Sequence, residues 1–210
     1  MSHEYHIIPR TLRWLRRIRH RCGYGVHSPL AFNFITDVVY NQAPYYAYAT
    51  LRQPLVASIS RLDEYDPQSG LTDRDLRLIF RLTNYQEPTH IYIIGAHEGA
   101  SSSTLISYIR AARPSAVITT DASTQGPPAA SKSGTALHYV DTPDALHPDF
   151  TLTTGAMLIV RGIHRTAQSR ARWEQLKAHP SVTLTFDLGR FGIALNRPKI
   201  NQQDYVVNYF

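Results

Sequence analysis

Apolar residues recur along this chain with two spacings. Short runs dense in β-branched residues predict strands, and longer stretches with an apolar residue at every third or fourth position predict amphipathic helices. The two alternate from residue 72 onward. Thr72 opens a helix with Asp75 at capping-box spacing and Leu76, Ile79, Phe80 and Leu82 on the buried face, and Pro88 closes it. Ile91, Ile93 and Ile94 read as a buried strand that runs into a turn between Gly95 and Gly99 and restarts as a helix over 101–110. Further strands are expected at Ala116 to Thr120, Ala136 to Val140, Met157 to Val160 and Val182 to Phe186, with a helix from Thr166 to His179 stopped by Pro180. Phe191 to Leu195 and Tyr205 to Phe210, joined through Asn196, Arg197 and Pro198, would close the chain as an antiparallel hairpin. Strands alternating with helices predict an α/β domain, Rossmann-like, around a seven-stranded, mostly parallel sheet covered on both faces. The alternation lapses at STQGPPAASKSG, residues 123–134. Pro127 and Pro128 there predict a loop where a crossover helix would otherwise stand.

Ahead of residue 72 helical stretches are separated by breaks, and the tyrosines and prolines gathered there predict irregular, aromatic-rich packing. Arg10 to Arg21 predicts a short basic helix with Leu12, Leu15 and Ile18 on one stripe. Gly23, Gly25 and Pro29 break the chain, and Ala31 to Tyr40 resumes a helical pattern through Phe34, Ile35 and Val38 that Pro44 ends. Another helix is expected through Leu51, Leu55, Ile59 and Leu62, and Asp66-Pro67 with Ser69-Gly70 marks a loop. The chain therefore divides into a helical extension, 1–70, and a sheet domain, 71–210.

Composition sharpens this picture in three places. The 210 residues suffice for one domain with a full core, and 43% hydrophobic content is ordinary for a globular protein. The single cysteine, Cys22, excludes an intramolecular disulfide and a cysteine-based zinc site, which suits a reducing compartment. With neither a signal-like apolar run nor the roughly 18 apolar residues a bilayer span needs, a cytoplasmic location is expected. The net charge of +6 is concentrated in residues 1–22, where six arginines face only Glu4. A helix so charged could meet an anionic partner, a nucleic acid or a membrane surface, at Arg10 to Arg21.

The strand, glycine turn and helix over 90–113 form a nucleotide-type unit. Glycines let the backbone approach a ligand closely, and the following helix start offers unpaired N–H groups. The spacing is G-x-x-x-G, without the three-glycine fingerprint of dinucleotide binding. Asp121 and Asp141 close the second and third strands.

Together, the capped helix, glycine turn, acidic strand ends and C-terminal antiparallel pair give Leu71 to Phe210 a sequence that resembles the class I S-adenosylmethionine-dependent methyltransferases, most closely the small-molecule O-methyltransferase branch. The GVHSP segment at 25–29 resembles the N-terminal region of a bacterial methyltransferase-like group of unassigned substrate. The resemblance implies the methyltransferase variant of the Rossmann-like fold and S-adenosylmethionine as cofactor. It places Gly95, Ala96, His97 and Gly99 beside the methionine portion of the cofactor. Asp121 would grip the ribose diol, which a carboxylate can do in bidentate fashion, and Asp141 would lie near the adenine amino group.

Two departures matter. Ile93 stands where the family usually carries an acid before the first glycine, and VRGIH, residues 160–164, replaces the acidic residues of the metal-dependent members. No metal is therefore expected, since a magnesium ion needs oxygen ligands and Arg161 would repel it. Methyl transfer would rely on orientation, with His164 first and His97 second as candidate bases toward a small-molecule acceptor. Tyr45, Tyr46 and Tyr48 could line or cover an acceptor pocket. Three functions remain open at the level of sequence: a working methyltransferase, for which a homodimer is one arrangement; a catalytically degenerate protein with a binding or scaffolding role; and an adaptor acting through the arginine-rich helix.

Overall fold

The computed structural model describes residues 26–56, 70–95, 101–121 and 135–209. The expected basic helix at Arg10 to Arg21, the helical positions Ile59 and Leu62, the turn residues 96–100 and the proline-containing segment 123–134 lie outside the described residues.

Ser28 caps α1 (Pro29–Asn33), accepting from the Ala31 amide, and Pro29 supplies a preset φ at the first turn. The Ala31 to Tyr40 pattern does not continue as one α-helix. It widens into a π-helix, Phe34–Val39, whose last bond runs from Tyr40 N to Ile35 O at 2.9 Å. Then come α2 (Tyr46–Val56), α3 (Asp73–Gln86), β1 (His90–Ile94), α4 (Ser101–Ala112), β2 (Val117–Asp121) and β3 (Ala136–Val140). A 3₁₀ turn (Pro143–Ala145), β4 (Met157–Arg161), α5 (Ala167–Lys177), β5 (Leu184–Asp187), β6 (Phe191–Leu195) and β7 (Gln203–Val206) complete the order. The start of α3 is the capping box expected from the sequence: Thr72 Oγ1 accepts from the Asp75 amide, and Asp75 Oδ2 accepts from the Thr72 amide at 2.8 Å.

The seven strands form one sheet in the order β2-β1-β3-β4-β6-β5-β7. Every neighbouring pair is parallel except those made by β6, which runs antiparallel to both β4 and β5. The antiparallel hairpin is thus β5 with β6, turning at 188–190. The expected pairing of 191–195 with 205–210 does not form, because β6 is inserted into the sheet and the last strand lies parallel to β5 at the edge.

Alternation along the strands divides the core into two faces. Ile91, Ile93, Leu137, Met157 and Ile159 pack with Leu76 and Ile79 of α3, Leu105 and Ile109 of α4, and Phe34 and Ile35 of the π-helix. Ala31, Val38 and Tyr48 join this cluster, so the described part of the N-terminal extension is built into the main core. On the opposite face Tyr92, Val140, Leu158 and Val160 pack against Trp173 of α5 and against Phe150. No described helix is long and apolar enough to cross a membrane.

Candidate functional site

Parallel strands deliver their carboxyl ends to one rim, where α/β sheets hold ligands. Ile94 pairs with Asp121 of β2 on one side and with Val140 of β3 on the other. Asp141 follows at once and donates its amide to Ile94 O at 3.1 Å. The fold therefore places the backbones of Asp121, Gly95 and Asp141 side by side at three adjacent strand ends, with Gly95 in the middle. Ala96, His97 and Gly99 lie outside the described residues, as does the side chain of Asp121.

Gly95 has φ +72, which favours glycine, and a Cβ there would come within 2.7 Å of Ala145 Cβ in the 3₁₀ turn. Close packing against the chain itself thus accounts for this glycine. Asp141 is likewise engaged internally: its Oδ1 accepts from Arg161 Nη1 at 2.8 Å and from the Tyr139 hydroxyl at 3.4 Å. Arg161 also donates through Nη2 to Gly70 O at 2.7 Å, bridging the end of β3 to the segment entering α3. Arg190 extends the network by pairing with Asp75, the capping residue of α3, and by approaching Gly70 O at 3.4 Å. Burial, reinforced by Asp141, pushes the Tyr139 phenol far above its ordinary range, so it stays neutral and serves as a donor. These groups form a partly buried ionic lattice whose members hold one another.

The histidine favoured from sequence stands farther along the same rim. His164, in the turn after β4, places Nε2 2.7 Å from Asp187 Oδ2 at the end of β5. The other Asp187 oxygen accepts from the Gly189 amide at 2.7 Å, which fixes the carboxylate's orientation. A carboxylate only accepts, so it selects the Nε2–H tautomer in the neutral ring and makes Nδ1 the basic nitrogen. His164 is one-third exposed, whereas Asp187 is mostly covered at 15%. This is the layout of an oriented imidazole that can take a proton and have the resulting charge compensated.

Sequence reasoning found His164 but missed Asp187, although it ends a strand as Asp121 and Asp141 do and carried the same signal. Arg190 and Gly70 had no signal, because they enter through contacts between residues more than a hundred positions apart or through a backbone carbonyl. Among the tyrosines, Tyr48 belongs to the core against Phe80, while Tyr46 is fully exposed. Among the described residues, no three His, Cys, Asp or Glu side chains come together as metal ligands would. Neither a protein-family model nor a curated protein matches this chain.

Proposed function

We propose that the chain is an S-adenosylmethionine-dependent methyltransferase-like protein, acting without metal on a small acceptor, with His164 as its base. The observation that carries this is the rim itself: Gly95 between two acidic strand ends, in line with an imidazole that a largely covered carboxylate orients. The resemblance in sequence supplies the identity of the cofactor. Asp121 beside Gly95 suits a ribose diol, whereas Asp141 is a poor fit as an adenine contact because Arg161 already holds its carboxylate. Bound S-adenosylmethionine would supply an electrophilic methyl group. The chain's own part would be to hold the acceptor near the ends of β4 and β5 and to take its proton at His164, leaving an imidazolium opposite Asp187.

The Arg161–Asp141 pair favours a second reading, a methyltransferase-like fold kept for binding or scaffolding, in which the internal ionic lattice replaces ligand contacts. Calorimetric titration with S-adenosylmethionine and S-adenosylhomocysteine separates the two. The enzymatic reading expects saturable heat from the natural chain and at least a tenfold loss of affinity in Asp121→Ala. Heat from neither protein favours the scaffold.

A further inference from the structure

A further cavity is lined by none of the rim residues. It has a volume of about 590 Å³ and lies between the π-helix and α3, walled by Phe34, Val38, Tyr45, Arg81, Asn84 and Tyr85. Asn84 and Tyr85 belong to the last turn of α3, whereas Asp75 of the ionic lattice is in its first. Asn84 follows Asp75 by nine positions of helix, roughly 14 Å along the axis.

Arg81 sets the chemistry of this cavity. The residue is only 7% exposed. Its Nε donates to Val38 O at 2.7 Å, and its Nη2 donates to Val39 O at 3.0 Å and approaches the Tyr209 hydroxyl at 3.4 Å. Tyr48 adds a second phenol beside it. Burial raises both tyrosines above their ordinary range, so both are neutral near physiological pH. Among the described residues, every neighbour that binds the guanidinium is therefore an uncharged oxygen, and no carboxylate lies within ion-pair distance. A buried cation held only by neutral oxygens is incompletely compensated, and an anion brought into the adjoining space gains the attraction that water does not screen.

The backbone here is also unusual. The π-helix is a rare conformation found often at binding and catalytic sites, and it is its last carbonyls that grip Arg81 while its side chains wall the cavity. Phe34, Tyr45 and Tyr85 supply flat apolar surface. Asp37, a further lining residue, is exposed and accepts from the Thr36 hydroxyl at 2.9 Å. A carboxylate in the same wall opposes a second negative charge, which disfavours phosphates and dicarboxylates.

We propose that this cavity is a binding site for a small monocarboxylate with an aromatic or similarly flat apolar body, its carboxylate paired with Arg81. The site is independent of the methyltransferase-like reading. A test uses the full chain with three acids of increasing length, benzoate, phenylacetate and 3-phenylpropionate, each beside its neutral primary amide, followed by calorimetry and melting temperature. At least one acid should bind saturably and raise the melting temperature, with its amide at least tenfold weaker. Arg81→Gln should lose the preference for the acid. Because Arg81 also clamps the π-helix, Asn84→Trp serves as a second variant, made at an exposed position of α3 to fill the cavity with Arg81 intact. It should melt like the natural chain without ligand and bind the acid at least tenfold more weakly. Absence of binding by all three acids, equal binding of acid and amide, or undiminished binding by a folded Asn84→Trp overturns the proposal.

Discussion

His138 shows how a single residue makes this fold sensitive to pH. It is 2% exposed, stacked on Tyr92 at 5.0 Å with Phe150 against its edge, and among the described residues no group bonds its Nδ1. Burial lowers its pKa from 6.5 to about 4. The folded chain keeps the ring neutral in that interval, while the unfolded chain takes up a proton. Stability from this residue is therefore complete above about pH 6.5 and is lost as the pH falls toward 4, of order 3 kcal/mol in all. Denaturant unfolding across that window should show a clearly shallower pH dependence in His138→Leu than in the natural chain. Equal slopes would mean that His138 is protonated in the fold. At this scale the sequence was only partly informative. His164 was found because strand-end loops are a known place for ligands, but the partner that gives it a role, Asp187, comes from another strand, and pairing across strands has no local signal.

Elements were more legible. All seven strands and the capped start of α3 were expected within a few residues, because apolar periodicity and capping act over three to seven positions. The π-helix was not, since an α-helical and a π-helical turn demand the same apolar side chains, and tertiary contacts such as Arg81 on the Val38 and Val39 carbonyls decide between them. Packing between elements makes its own demands. Gly192 is the second residue of β6, with the Trp173 ring of α5 packed against it, and a Cβ there would fall 2.6 Å from the ring. Trp173 is 1% exposed and has nowhere to retreat. Gly192→Ala should therefore destabilise the protein by about 1–3 kcal/mol, read as a drop in the denaturation midpoint. An unchanged midpoint would show that α5 is free to lift from the sheet.

For the whole molecule, the α/β class and the mostly parallel sheet followed from the alternation of strands and helices, but strand order did not. Periodicity tells which residues face a core and is silent on which neighbour a strand selects, so the insertion of β6 between β4 and β5 became visible only in three dimensions. That order brings Asp121, Gly95 and Asp141 to adjacent positions and puts His164 on the same rim, and the proposed methyl-transfer chemistry depends on this convergence. Backbone amide NMR during titration with S-adenosylhomocysteine locates the cofactor most directly. The expected result is saturable shifts at Gly95, Asp121 and their strand-end neighbours, with Arg81 and Asn84 unmoved; an unperturbed rim at saturating ligand would contradict it.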